Sequence, residues 1–138
     1  MARTPFRVEV LTPEGSTFDD EVEMISTRTT TGSIGVLARH QPLLGMLEPT
    51  ELRLYRSESE VVSYAQGEGY IQVSPDGVLV LVEEAHPPDE LDVADLREKL
   101  RKAEDAMAAA EPNSEGRRRA ATDKRRWETF LRIAEGSS

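Results

Sequence analysis

Cysteine is absent from these 138 residues, so disulfides, thiolate metal sites and a thiol nucleophile are all excluded. A reducing compartment is the natural setting. Aromatic side chains are scarce, with one tryptophan, three tyrosines and three phenylalanines, too few to line a sugar pocket or a base-stacking surface. No window approaches the roughly 18 continuous apolar residues of a membrane-spanning helix. The start, MARTPFRVEV, shows neither the apolar run of a signal peptide nor an arginine-rich transit pattern, so the chain is expected to be soluble and to meet a membrane only through a partner.

Catalytic signatures are missing as well. There is no G-x-S-x-G elbow and no G-x-x-x-x-G-K-S/T phosphate loop. The only histidines, His40 and His86, are 46 positions apart and show no helical spacing. A hydrolytic zinc site needs about three protein ligands, so they read more simply as loop or surface residues. Asp19 with Asp20, and Glu83 with Glu84, are adjacent in sequence, and neighbours on a strand point to opposite faces. No catalytic or metal-binding residue is assigned, and the chain is read as a non-enzyme without a cofactor.

Charge is plentiful but uneven. The net charge is -9; residues 1–88 carry -8, residues 89–115 carry -5 and residues 116–138 carry +4. Only the tail is basic. From Thr4 to Val82 short apolar alternations, such as Phe6, Val8 and Val10, then Val22 and Met24, Leu52 and Leu54, and Val78 and Val80, are separated by turn formers. These include Pro13, Glu14 and Gly15; Gly32 and Gly35; Gly67 and Gly69; and Pro75, Asp76 and Gly77. Many short strands at this spacing predict an antiparallel sandwich or barrel.

The character switches at Pro87 and Pro88, which cannot continue a ladder. Val93, Leu96, Leu100, Ala103, Met107 and Ala110 then fall on one helical stripe, with Asp89 or Asp92 placed to cap it. EPNSEG, Glu111 to Gly116, breaks that helix. A second stripe follows through Ala120, Lys124, Trp127, Leu131 and Ala134, with Phe130 and Ile133 beside it. The expected fold is therefore α+β: an antiparallel beta sandwich over residues 1–86 and a two-helix hairpin over residues 87–138. The seam of that hairpin is narrow and partly alanine, so it buries little apolar area.

RRRAATDKRR, Arg117 to Arg126, holds six cations and one acid. It is either a solvated helix face or a patch for an acidic partner surface; nucleic acid fits less well, because Trp127 alone could stack.

Four blocks carry a resemblance to a known family: VLTPEGSTFDDEVEMI at Val10 to Ile25, TTTGSIGVLARHQPLLGMLEPTELRL at Thr29 to Leu54, GEGYIQVSPDGVLVLVEEA at Gly67 to Ala85, and ELDVA at Glu90 to Ala94. In order and spacing they resemble the epsilon subunit of bacterial F-type ATP synthases, the counterpart of the mitochondrial delta subunit. The resemblance implies about ten strands and a non-catalytic rotor subunit of a proton-translocating complex. It implies binding to the gamma subunit and to the c-subunit ring, peripheral to the cytoplasmic face of the bacterial cell membrane. It also implies that the helical hairpin can extend toward the catalytic head and hinder ATP hydrolysis. The rival class is a small ligand-binding sandwich whose hairpin dimerises.

The family's ring-facing loop usually reads G-E-I-G-x-x-P-G-H-x-P-L-L. By that resemblance the ring contacts here are Gly32, Ser33, Arg39, His40 and Pro42, with Ala38 and Arg39 standing where Pro-Gly is common. Some relatives bind ATP through I/L-D-x-x-R-A at the start of the first helix. This chain has Leu91, Asp92, Val93 and Ala94, then Asp95 and Leu96 where arginine and alanine are expected. Asp95 would repel phosphate, and Arg97 lies roughly 200° around the helix. ATP binding is therefore expected to be weak or absent. An inhibitory contact with the beta subunit would fall to Arg117, Arg118, Arg119, Lys124, Arg125 and Arg126.

Overall fold

A computed structural model describes residues 3–136. The chain divides at the Pro87–Pro88 pair into two compact units. The first contains ten strands: β1 (Phe6–Thr12), β2 (Gly15–Val22), β3 (Met24–Thr29), β4 (Gly32–Val36), β5 (Leu43–Leu47), β6 (Thr50–Tyr55), β7 (Val61–Gln66), β8 (Gly69–Ser74), β9 (Gly77–Val82) and β10 (Ala85–His86). They are hydrogen-bonded in the order β10-β7-β6-β3-β5-β8-β9-β1-β2, with β4 on β3.

The period-two pattern places valine and isoleucine inward. Val8, Val10, Val22, Ile25, Val36, Leu52, Leu54, Ile71 and Val80 are fully withdrawn from solvent and form one cluster. Val22 and Met24 look like one alternation in sequence. In the fold they end β2 and begin β3, separated by Glu23, whose N–H donates to the Tyr55 carbonyl at 2.6 Å. One ladder departs from the antiparallel expectation: β1 runs parallel to β9, with Val8 beside Val78 and Val10 beside Val80.

Three hairpin turns share one device. The hydroxyls of Thr12, Thr29 and Ser74 donate to the carbonyls of Gly15, Gly32 and Gly77, at 3.4, 3.0 and 3.3 Å. Each of these glycines has a positive φ, between 120° and 138°, where a Cβ would be strained. The corner from Gly67 to Gly69 rests on a different constraint. A Cβ at Gly69 would lie 1.8 Å from the Leu81 carbonyl oxygen, so the close crossing of β8 and β9 admits no side chain there.

Gln66 is the one fully buried polar side chain among the described residues. The Thr27 hydroxyl donates to its Oε1 at 2.7 Å, and its Nε2 donates to the Glu48 carbonyl at 2.8 Å, tying β7 to β3 and to the β5–β6 turn. Both ends of the amide are satisfied, which is the condition for burying it.

The second unit opens with a 3-10 turn, Pro88–Glu90, followed by α1 (Val93–Ala109) and α2 (Glu115–Ala134), packed as a hairpin. Asp92 caps α1, its side chain accepting from the Asp95 N–H at 3.1 Å, and Ser114 caps α2 through the Arg117 N–H at 3.1 Å. Asn113 makes the left-handed bend between them at φ 60°. On α1 the positions withdrawn from solvent are Val93, Leu96, Leu100, Ala103 and Met107, the expected stripe. On α2 the emphasis differs from the sequence pattern: Phe130 is 1% exposed, whereas Trp127 is only half-buried. Trp127 stands edge-on to Phe130 at 5.9 Å, and its own face carries the Lys99 ammonium at 4.8 Å.

The helices are also joined by charge. Arg97 pairs with Glu135 at 2.6 Å, and the Arg117 guanidinium donates to the Met107 carbonyl at 2.9 Å. Within α1 the Arg101 hydrogen bond holds the Glu98 carboxyl below the ordinary carboxylate range. Its support for the helix is present above the ordinary carboxylate pKa and is lost as pH falls through the depressed one.

Replacing Gln66 by leucine removes both hydrogen bonds and strands the Thr27 hydroxyl and the Glu48 carbonyl. The expected loss is about 1–3 kcal/mol, read as a lower urea midpoint with an unchanged m-value.

Candidate docking surfaces

The β4–β5 connection runs from Leu37 to Pro42. The His40 N–H donates to the Leu37 carbonyl at 3.1 Å, closing a four-residue turn whose third residue, Arg39, has φ 65°. That position is left-handed and is normally a glycine in such a turn. His40 Nδ1 is 2.8 Å from the Gln41 carbonyl, which orients the ring at the surface. Arg39, His40 and Pro42 line a cleft of about 490 Å³ with Phe6, Arg7 and the Val73–Val78 hairpin. Phe6 is the only phenylalanine, tyrosine or tryptophan lining the cleft, so it lacks the broad aromatic lining expected of a sugar-binding module.

The other two expected ring-contact residues lie elsewhere. Gly32 closes the Thr29–Gly32 turn and Ser33 follows it in β4, at the opposite end of that strand from Arg39 and His40. At about 3.4 Å per residue, Ser33 and Val36 are roughly 10 Å apart along the strand. Neither Gly32 nor Ser33 lines the cleft.

A second surface was not apparent from the sequence pattern. Met46 on β5 is paired with Tyr70 on β8, Tyr70 with Leu81 on β9, and Leu81 with Leu11 on β1; beside this row runs Leu44, Gln72, Leu79 and Glu9. Leu44 is 73% exposed, Met46 56%, Tyr70 50% and Leu81 42%. Single exposed apolar residues are ordinary, but four in neighbouring register on one sheet face mark an interaction surface. The signal was present: LLGML in β5 and VLVLV in β9 are apolar on both faces, whereas a strand facing solvent alternates with polar residues.

The basic segment of α2 is partly occupied within its own unit. Arg117 binds the Met107 carbonyl and Arg118 the Asn113 carbonyl, both at 2.9 Å. Arg119 pairs with Glu115 at 3.6 Å, and Arg126 pairs with Asp123 at 3.5 Å while stacking 5.1 Å from the Trp127 ring. Lys124 is half-buried and Arg125 is exposed. At the start of α1, Asp95 pairs with Lys99 at 3.1 Å and Leu96 is buried, while Arg97 is engaged by Glu135. His86 Nε2 meets Glu84 at 2.8 Å. Among the described residues no group of three or more side chains is placed to hold a metal ion.

Residues 5–88 match the family described as ATP synthase, Delta/Epsilon chain, beta-sandwich domain. The chain belongs to the ATP synthase delta/epsilon family. It is 34% identical over 127 residues to the ATP synthase epsilon chain of Halalkalibacterium halodurans, spanning 92% of this chain and 95% of that one. It is 44% identical over 106 residues to that of Persephonella marina, covering 77% and 76%. The fold is similar to a chain in the mitochondrial ATP synthase of Euglena gracilis, in a structure that includes the c-ring, with a TM-score of 0.77 at 23% identity over 91% of this chain and 79% of that chain. It is also similar to a chain in the central stalk and c-ring of the Tetrahymena thermophila enzyme, with a TM-score of 0.60 at 17% identity over 97% and 99%. The family model covers the sandwich, and the match to the Halalkalibacterium halodurans chain, spanning 92% of this one, extends into the helices.

Those contacts are separable by mutation. Lys99→Ala removes the cation over Trp127, a partly exposed pair worth about 0.5–1 kcal/mol. The expected result is a lower helix-melting temperature in far-ultraviolet circular dichroism, with the sandwich transition unmoved.

Proposed function

We propose that the chain is the epsilon subunit of its ATP synthase, a non-catalytic part of the central stalk of a proton-translocating complex. The observation that carries this reading is the exposed apolar row Leu44, Met46, Tyr70 and Leu81 on the matched sandwich. Such a surface is stabilised only when a partner covers it, and the gamma subunit is the occupant that a stalk subunit requires. The loop with Arg39, His40 and Pro42 then rests on the c-subunit ring, with Gly32 and Ser33 as a second, separate point of contact. This places the protein peripherally at the cytoplasmic face of the cell membrane, held there through the ring. No helix among the described residues is long and apolar enough to cross a membrane.

In the same reading the hairpin is regulatory. Arg117, Arg118, Arg119, Lys124, Arg125 and Arg126 supply the cations for an acidic segment of the beta subunit. To do so Arg117, Arg118, Arg119 and Arg126 must leave or share their present partners, so the hairpin trades internal contacts for external ones. Attraction between exposed charges is screened over about 8–10 Å at physiological salt, and inhibition of hydrolysis should weaken as salt rises.

Tyr70→Asp places a charge in the centre of the apolar row at a half-exposed position. The expected outcome is a folded protein that no longer co-purifies with the gamma subunit; retention at wild-type level overturns the reading. Truncation after Ala110 is expected to raise ATP hydrolysis at low salt, and unchanged hydrolysis removes the inhibitory role. Isothermal titration of the full chain with ATP is expected to show no micromolar binding, because Asp95 stands where phosphate would need a cation.

A further inference from the structure

Of the six arginines in the first unit, four are held by carboxylates: Arg7 by Asp19, Arg28 by Glu48, Arg53 by Glu51 and Arg56 by Asp20. Arg3 reaches the Met24 sulfur. Among the described residues no hydrogen bond or ion pair engages Arg39, although Asp76 lines the same cleft. Arg39 is exposed, and it is one of two non-glycine residues among those described with a positive φ, the other being Asn113.

These two facts belong together. Asparagine visits the left-handed region readily because its short amide bonds locally, but an arginine gains nothing there. A glycine at φ 65° would relieve the strain without changing the turn. Strain of this kind persists where the side chain does something the relaxed residue could not. A guanidinium presents five N–H donors in a planar fork that matches a carboxylate in two parallel hydrogen bonds. It stands beside His40 at the mouth of a cleft, uncommitted within its own unit.

We infer that Arg39 is a specificity-determining residue of this loop: it recognises a carboxylate on the polar loops of the c-subunit ring, and the backbone strain at φ 65° is retained for that contact. The inference rests on the reading of the protein as the stalk subunit that seats on the ring. It adds the chemical identity of the group recognised and the residue that recognises it. His40, Pro42 and the apolar wall of the cleft supply shape, while Arg39 supplies the charge that selects an acidic partner.

The test compares Arg39→Gly and Arg39→Lys with the wild-type full chain, in thermal melts and in binding to the organism's own purified c-ring carrying its gamma subunit. Arg39→Gly is expected to melt at or above the wild-type temperature, since the strain is gone, and yet to bind roughly five-fold more weakly. Its affinity should also depend less on salt than that of the wild type. Arg39→Lys keeps the charge but not the fork and is expected to fall between the two. Arg39→Gly that binds like the wild type overturns the inference, as does a clear fall in its melting temperature, which would make Arg39 structural. If the wild type itself fails to bind the ring and stalk, the reading of the protein as a stalk subunit falls first. Arg39-dependent binding to ring-free phosphatidylglycerol vesicles would overturn the carboxylate partner in favour of a lipid headgroup.

Discussion

Strands β5, β8 and β9 carry large apolar side chains on both faces, and a sandwich of this size can bury only one of them. The inward choice is fixed by the valines and isoleucines of the opposing strands, which leave Val73, Val78, Val80 and Ile71 inside. Leu44, Met46, Tyr70 and Leu81 are left outside by the same geometry, because successive residues of a strand must face opposite ways. A fold satisfied by its own contacts would place polar residues there. This one leaves an apolar row in solvent, and the proposed stalk role rests on a partner covering it.

The loop beside that face shows the same economy at the level of one residue. The three turns closed by a threonine or serine hydroxyl all place glycine at the strained position and carry no side chain there. The Leu37–His40 turn makes a milder demand, φ 65° in the left-handed region that a side chain can enter at a cost, and meets it with Arg39. Stability and contact are therefore separate quantities in this loop, set by the backbone and by the guanidinium respectively. The hairpin divides them differently: its buried seam of Leu96, Ala103, Ala120 and Phe130 is small, and exposed ion pairs such as Arg97 with Glu135 add little to it.

Much of the architecture was legible because it rests on periodicity. The alternation of Val8 and Val10 and the heptad-like stripe from Val93 to Met107 translated directly into strand and helix. What escaped was whatever depends on pairing between distant segments. The parallel register of β1 on β9 joins residues 70 positions apart, such as Val8 and Val78, and no local pattern encodes it. The break at Glu23 was hidden because Val22 and Met24 keep the two-residue period across it. Phe130, and not Trp127, became the buried ring of α2, and Trp127 lies edge-on to it with the Lys99 ammonium over its face. Of the candidate contacts, Arg39, His40 and Pro42 were brought together, whereas Gly32 and Ser33 sit at the far end of β4. The apolar row is encoded in LLGML and VLVLV, where polar alternation is missing, but valine-rich runs of that kind equally suit a strand buried on both faces.

A structure of the assembled synthase containing this chain tests the central claim most directly. Burial of Leu44, Met46, Tyr70 and Leu81 against the gamma subunit is the predicted result. The same four side chains standing in solvent, with the sandwich seated through another face, would contradict it.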